Sequence, residues 1–306
     1  MLGRIRRIDR VFVRSSHSNA YVSSVFIFVI PAWSGLSFTG CLLLILGSGI
    51  RCQLTNPQLL GYLETQSAFM KKIIHYIKRY LYQEKHRMLP PIEGGSGACG
   101  QDRFIHELLD LKKNGVFVDI GANDGVTISN TAYLESEHDW TGVAVEPIPL
   151  VFQKLQSNRE CQVINACITP KSGLQKFLEM VGGADMLSTL AVNNNGLTAR
   201  RLRKNAKRQG ARIVEYEVEC LTFSSVMEDC GIREIDFLSV DTEGGELEIL
   251  QSIDFAKNPV KVISVENNFY TLEIREFLEK QGFLHLGTFK VDEIYMYGGS
   301  SLRQSI

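Results

Sequence analysis

The chain has 306 residues, enough for one α/β domain of about 200 residues with appended segments. Its formal net charge of −1, with 22% charged and 44% apolar residues, is average for a globular protein. Bulk charge therefore gives no argument for binding nucleic acid or an anionic membrane. The seven cysteines form no C-x-x-C pair and accompany no histidine cluster at ligand spacing, which argues against structural zinc. We expect Cys161, Cys167 and Cys220 to be small buried side chains, with disulfides left open if the domain is lumenal.

The N-terminal region combines positive charge with an apolar segment. Residues 1–20 are basic and precede a mostly apolar stretch, 21–50, that is interrupted by Pro31, Gly35 and Gly40. Because about 20 apolar residues cross a bilayer, we predict a transmembrane signal-anchor helix over 21–50. The positive-inside rule then puts the N-terminus in the cytosol and the rest of the chain in the lumen of the ER or Golgi. A cleaved signal peptide and a mitochondrial presequence remain open alternatives.

Residues 51–99 are predicted to be a stem and linker ahead of a domain at 100–306. Between residues 67 and 82 apolar positions recur at helical spacing, with lysine and arginine on the remaining surface. This pattern predicts a basic amphipathic helix that lies on a membrane or packs on the domain. Prolines and glycines between residues 90 and 97 then break regular structure and set the domain boundary.

Beyond the linker, a helix predicted at 102–114 leads into a first strand at 116–120, and helix-like and strand-like segments alternate from there. Such alternation predicts a parallel sheet.

A glycine-rich turn closes the first predicted strand. Asp119 lies near the strand end, and Gly121, Asn123 and Gly125 follow it. Glycines let a chain turn sharply and let its N–H groups face a cofactor, while Asp119 offers a carboxylate to an ammonium group. These four residues are therefore candidate cofactor contacts, although a turn made only for packing would look similar.

A second predicted strand, 142–145, ends in Glu146. This acid lies 21 residues beyond Gly125, close to the spacing at which a carboxylate accepts hydrogen bonds from ribose hydroxyls. Glu146 is the fifth candidate cofactor contact. The alternative is an acidic strand end exposed to water.

A third strand is predicted over 162–168 and is followed by a long excursion, 169–234, which we expect to carry substrate specificity. The excursion contains a dense basic run between residues 200 and 212 without aromatic residues. That run suits an anionic glycan, a phosphorylated substrate, a lipid surface or simply a solvated helix face. With no aromatic side chains to stack on bases, we do not expect nucleic acid as a partner.

The remaining strands bring acids to the same edge of the sheet. A fourth strand at 235–240 ends in Asp241 and Glu243, and a fifth at 261–265 ends in Glu266. In open α/β sheets ligands bind beyond the carboxyl ends of strands, so these three acids are the candidate catalytic residues. Strands at 283–288 and 293–297 read as an antiparallel hairpin. We therefore predict a Rossmann-like methyltransferase fold with a seven-stranded, mostly parallel sheet and an antiparallel C-terminal hairpin.

Three motifs in this order resemble the FkbM family of S-adenosylmethionine-dependent methyltransferases. They are VDIGANDG at 118–125, VEP at 145–147 and DFLSVDTEG at 236–244. The resemblance covers residues 100–299 and implies S-adenosylmethionine as the cofactor and O-methylation of a hydroxyl on a small molecule or glycan. It leaves the proton acceptor open among the three acids. Asp241 with Glu266 and Asn267 is also similar to the magnesium triad of catechol O-methyltransferase, but Glu266 stands where that family has aspartate, so a metal is left undetermined.

Three further segments resemble the animal Star-like branch of this family. They are SNTAYLE at 129–135, WTG at 140–142 and INAC at 164–167. That branch implies a type II membrane protein and an alternative function in the trafficking of secretory cargo, with a methyltransferase fold that need not be catalytic.

Overall fold

The computed structural model describes residues 25–29, 42–46, 88–182, 188–190 and 196–298, with the backbone alone for 25–29, 42–46 and 196–200. The chain divides into two units, residues 1–82 and 83–306. In the first unit, β1 (Val25–Val29) pairs antiparallel with β2 (Leu42–Leu46).

These two strands correct the helix predicted over 21–50 at the positions that the structure describes there. Apolar runs of five residues fit a strand as well as a helix, and periodicity alone does not separate the two. Among the described residues, no helix has the length and apolarity that a membrane crossing requires. The rest of 21–50 and the predicted stem helix lie outside the described residues.

The second unit alternates helices and strands as predicted. In chain order it contains α1 (Gln101–Leu108), β3 (Val116–Ile120), α2 (Ala132–His138), β4 (Thr141–Val145), α3 (Pro149–Asn158), β5 (Gln162–Ile164), β6 (Cys167–Ile168), β7 (Gly173–Val181), β8 (Thr189–Leu190), α4 (Gly196–Gln209), β9 (Arg212–Leu221), α5 (Phe223–Cys230), β10 (Ile235–Val240), α6 (Glu246–Ser252), β11 (Val260–Glu266), α7 (Glu273–Lys280), β12 (Phe283–Phe289) and β13 (Asp292–Tyr297).

The main sheet has seven strands in the order β12-β13-β11-β10-β3-β4-β5. All contacts from β5 to β11 are parallel, and β13 lies antiparallel between β11 and β12. Because β3, β10 and β11 are covered on both faces, their sequences are near-continuous apolar runs. The order reverses between β3 and β10, which is where an open α/β sheet forms a ligand crevice at its carboxyl edge. The predicted mixed sheet with its terminal hairpin is thus confirmed.

Two predicted elements differ in the structure. The helix predicted over 102–114 ends at Leu108, because Asp110 and Leu111 take positive φ values of 56° and 57° that a helix does not accommodate. The third strand, predicted over 162–168, is split into β5 and β6. Between them the Asn165 amide donates to the main-chain oxygens of Glu146 and Pro147, at 2.8 and 3.1 Å, and redirects the chain.

The excursion after β5 builds a second sheet in the order β6-β9-β7-β8. Helix α4 buries Leu202 and Ala206 against Leu178 and Met180 of β7. In the described part of the basic run, most of the cations are exposed, as a solvated helix face requires; they are Arg203, Lys204, Lys207, Arg208 and Arg212. Arg201 is different, because its guanidinium is paired with an acid of the main sheet.

Asp236 connects the start of β10 to its neighbours, and its replacement by asparagine tests that connection. Its carboxylate accepts from the ammonium groups of Lys112 at 2.5 Å and Lys261 at 2.7 Å, and from the Val116 N–H at 2.9 Å. We expect Asp236→Asn to lower the free energy of unfolding by about 1–3 kcal/mol, because two charge-assisted bonds are lost. Urea unfolding beside Asp229→Asn, an exposed control, measures this. Equal stability of the two variants would contradict it.

Candidate active site

A cavity of about 540 Å³ opens at the carboxyl edge of the main sheet, where the strand order reverses. Its volume lies within the range of small-molecule sites, about 300–1,000 Å³. The second sheet supplies the opposite wall through Cys167, Ile168, Phe177 and Leu190. Six of the eight predicted site residues line this one cavity: Gly121, Asn123, Glu146, Asp241, Glu243 and Glu266.

Gly121 sits where two parts of the backbone come closest. Its φ is +87°, and a Cβ added there would lie 1.8 Å from the main-chain oxygen of Asp241. Its N–H donates to the oxygen of Val145 at 3.0 Å. The turn after β3 is thereby locked between the ends of β10 and β4, and only a residue without a Cβ fits this position.

Glu146 joins the turn to the start of α3. One carboxylate oxygen, Oε2, accepts from the Asn123 N–H at 3.1 Å, and Oε1 accepts from the Ile148 N–H at 2.9 Å. The side chain is buried, and burial raises the pKa of Glu146 to about 7 although the two N–H groups favour the charged form. A carboxylate has about four acceptor positions, so each oxygen can accept a further hydrogen bond from a ligand in the cavity. Glu146 thus faces the turn, as the ribose-binding hypothesis requires.

Asp119 and Gly125 are not among the residues that line the cavity, and their direct contact with a cofactor stays a prediction. Asp119 is buried and accepts from the Thr131 hydroxyl at 2.6 Å. A Cβ on Gly125 would lie 2.6 Å from Cδ1 of Leu155, so this glycine permits close packing of α3 on the turn. Both residues shape the turn from behind. The sequence pattern fixes their place along the strand but not the direction that each group faces.

Arg159, at the end of α3, is the central residue of this support, and no sequence motif points to it. Its buried guanidinium donates to the oxygen of Gly125 at 3.1 Å, to the Ser129 hydroxyl at 3.3 Å and to the Thr131 hydroxyl at 3.1 Å, and it is also paired with Glu135. A single arginine after a helix belongs to no motif, and its partners are set by the tertiary fold. The turn therefore depends on a charged residue that never reaches the cavity.

The three predicted acids come together at the ends of β10 and β11, next to the Gly121 turn. One oxygen each from Asp241, Glu243 and Glu266 lies within 4.8 Å of the others. Glu243 Oε2 is paired with the guanidinium of Arg201 and accepts from the Asn268 amide at 3.0 Å. Arg201 comes from α4, so the excursion contributes a charged side chain to the site.

Burial first, and then the charges of neighbouring acids, raise the pKa values of all three groups. Burial first, and then the charge of Glu246, raise the pKa of Asp241 to about 7. Burial raises the pKa of Glu243 to about 8 even though Arg201 opposes the shift. For Glu266, burial and the charges of Asp241 and Glu243 raise the pKa well above its usual value. Groups with pKa values near neutrality suit proton transfer at physiological pH.

Asn267 does not take the position expected from the catechol O-methyltransferase pattern. Its amide donates to the main-chain oxygen of Thr271 at 2.8 Å and to Glu293 Oε1 at 2.9 Å, so it is engaged elsewhere. Glu243 instead joins Asp241 and Glu266.

Asp292 lies close to this cluster and gives a prediction about pH. The amide of Gln101 donates to Asp292 at 3.2 Å, and burial, then the charge of Asp241, raise the pKa of Asp292 to about 8. The folded protein therefore holds a proton that the unfolded chain releases above about pH 4, and stability is lost as pH rises toward 8, by up to about 1.4 kcal/mol per pH unit. We expect Asp292→Asn to reduce this loss, measured by urea unfolding between about pH 5 and 8. An unchanged slope would contradict the prediction.

The fold and cavity define an α/β protein with a ligand site at the reversal of strand order, and comparisons with known proteins give the family. The sequence profile described as Methyltransferase FkbM domain matches residues 119–284, more than half of the chain. The chain belongs to this family, which confirms the resemblance seen in the three motifs. The Star-like branch stays a prediction.

Individual proteins are more distant. The methyltransferase sdnD of Sordaria araneosa is 28% identical over 206 residues, covering 58% of this chain and 77% of that protein. Among solved structures, Methyltransferase FkbM from Methylobacillus flagellatus KT has a TM-score of 0.40 and 13% identity, covering 78% of this chain and 58% of that one. Precorrin-6y C5,15-methyltransferase from Geobacter metallireducens GS-15 has a TM-score of 0.33 and 14% identity, covering 70% and 95%. This chain spans less than two thirds of the first structure, and the family assignment rests on the profile match.

Proposed function

We propose that this protein is an S-adenosylmethionine-dependent methyltransferase that methylates a hydroxyl oxygen of a small molecule or glycan. The observation that supports it most is that one cavity contains both the Gly121 turn with Glu146 and the three acids Asp241, Glu243 and Glu266. A cofactor region and a proton acceptor are the two parts that such a reaction needs in one space.

The residues at the turn fit the cofactor. Gly121 lines the cavity, and its lack of a Cβ lets the turn pack directly against the main chain of Asp241, so the turn and the acids border the same space. Glu146 would accept hydrogen bonds from the ribose hydroxyls with the acceptor positions that Asn123 and Ile148 leave free. Apolar side chains such as Ile168 would cover the flat face of the adenine.

The acids beside the turn would supply the rest of the chemistry. S-adenosylmethionine contributes an electrophilic methyl group on a sulfonium. The protein would align an acceptor hydroxyl with that methyl group, and a carboxylate from Asp241, Glu243 or Glu266 would accept the hydroxyl proton as the oxygen–carbon bond forms and the carbon–sulfur bond breaks, which leaves S-adenosylhomocysteine as the second product.

Calorimetric titration of S-adenosylmethionine into the full-length protein tests the proposal. We expect binding by the wild type and at least a tenfold weaker affinity for Glu146→Gln, because the amide of glutamine would place a donor against the N–H of Asn123 or Ile148. Glu228→Gln, at an exposed position of α5, is the matched control and should bind as the wild type does. No binding heat in the wild type, or an unaffected Glu146→Gln, would contradict the proposal.

The Star-like motifs favour a second candidate, a membrane protein of the secretory pathway that takes part in cargo trafficking. In that case the basic residues 1–20 stay in the cytosol and the domain is lumenal. A glycosylation acceptor inserted beside Gly95 would be modified if the linker is lumenal, and an unmodified product would count against this location. Absence of S-adenosylmethionine binding would leave trafficking as the remaining candidate.

A further inference from the structure

The three acids of the cavity leave the sheet from two neighbouring strands. Val240 and Val265 are paired in register on β10 and β11, so the residues that follow them, Asp241 and Glu266, emerge side by side. Glu243 follows two residues later, in a turn where its φ is +58°. One oxygen from each acid lies within 4.8 Å of the others. Three carboxylates this close repel one another, and the repulsion is relieved either by a retained proton or by a cation bound between them.

Arg201 neutralises one side of this cluster. Its guanidinium and the Asn268 amide both engage Oε2 of Glu243. These contacts hold Glu243 in place while its second oxygen is available to another ligand. The pairing therefore orients one acid and leaves the charge of the other two to be balanced.

Glu266 provides an independent sign of a missing partner. The residue is only 9% exposed, it lines the cavity, and its Oε2 atom is buried without a hydrogen-bond partner among the described residues. Buried polar atoms in folded proteins are nearly always satisfied, so an unsatisfied carboxylate oxygen facing like charges points to a bound cation.

We propose that Asp241, Glu243 and Glu266 bind one divalent cation of the Mg²⁺ or Mn²⁺ class. The ligands are carboxylate oxygens alone, without histidine or cysteine in the cluster, and such a set suits hard cations rather than zinc. Three protein ligands leave further coordination positions facing the cavity. On the proposed methyltransferase function, an acceptor hydroxyl would occupy one of them and lose its proton more readily beside the ion.

Titration of Mn²⁺ into the full-length protein without any nucleoside, followed by electron paramagnetic resonance of the free ion, tests the site. We expect about one Mn²⁺ bound per chain, competition by Mg²⁺, and at least a tenfold rise in Kd for Glu266→Gln. Glu276→Gln, an exposed change of the same chemistry on α7, should bind Mn²⁺ as the wild type does. If Glu266→Gln does not fold, Asp241→Asn at a half-buried ligand gives the same comparison and the same expected loss.

The proposal is overturned if the wild type leaves Mn²⁺ free at millimolar concentration, or if the folded ligand variants bind as tightly as the wild type. A separate titration with S-adenosylmethionine keeps the two proposals apart. Cofactor binding without Mn²⁺ binding removes the metal site alone. Mn²⁺ binding without cofactor binding supports the metal site and counts against the methyltransferase function.

Discussion

Replacing Gly121 with alanine is expected to abolish S-adenosylmethionine binding and to lower the free energy of unfolding by at least about 3 kcal/mol. The added Cβ would lie 1.8 Å from the main-chain oxygen of Asp241, and the φ of +87° is unfavourable for alanine. The backbone fixes the positions of both the added Cβ and the main-chain oxygen of Asp241. The turn after β3 and the end of β10 must therefore separate. Chemical unfolding and calorimetric titration of the same sample measure the two effects.

Gly231→Ala is the matched control for this change. Gly231 also has a positive φ, +68°, but a Cβ there would meet nothing within 4 Å. Gly231→Ala should therefore lower the free energy of unfolding by about 1 kcal/mol, the cost of the backbone conformation alone, and leave cofactor affinity unchanged. Similar losses of stability in the two variants would show that the close approach of Gly121 to Asp241 is not what the turn depends on.

Arg159→Met is the second large effect, with an expected loss of about 3–5 kcal/mol of unfolding free energy. Methionine fills the volume of the arginine stem but leaves the Glu135 carboxylate without its cation and the oxygen of Gly125 without its donor. We also expect weaker S-adenosylmethionine binding, because the turn that carries Asn123 loses its support. Urea unfolding and calorimetry are again the measurements.

A double variant identifies the cause. If the cost comes from the unpaired carboxylate, adding Glu135→Gln to Arg159→Met should recover part of the lost stability, since the buried charge is removed with its partner. Glu135 would keep an amide oxygen for the N–H groups of Glu160 and Cys161. If the losses of unfolding free energy for Arg159→Met and Glu135→Gln simply add in the double variant, the unpaired carboxylate is not the cause, and lost packing around Arg159 is the better explanation.

The outline of the fold can be predicted from the sequence. Buried parallel strands are continuous apolar runs with turns after them, so β3 and β10 were predicted with the bounds that the structure shows. The place of Glu146 followed from its distance along the chain to the glycine turn. These features depend on residues that are close together along the chain, so patterns in the sequence predict them.

The features of the site that cannot be predicted from the sequence depend on contacts between distant parts of the chain. The turning of Asp119 toward Thr131, away from the cavity, is set by the packing of α2. The pairing of Arg201 with Glu243 joins an excursion helix to the end of β10. Glu243, and not Asn267, joins the acid cluster. This depends on a turn in which Glu243 has a positive φ, and no sequence motif indicates that turn. Side-chain direction and long-range charge pairing are properties of the folded chain.

A crystal structure of the full-length protein with S-adenosylhomocysteine tests the central claim most directly. We predict the nucleoside in the cavity between the Gly121 turn and the second sheet, with its ribose hydroxyls within hydrogen-bond distance of Glu146 Oε1 or Oε2. Nucleoside bound elsewhere, or a ribose that makes no contact with Glu146, would contradict the assignment of this cavity as the cofactor site.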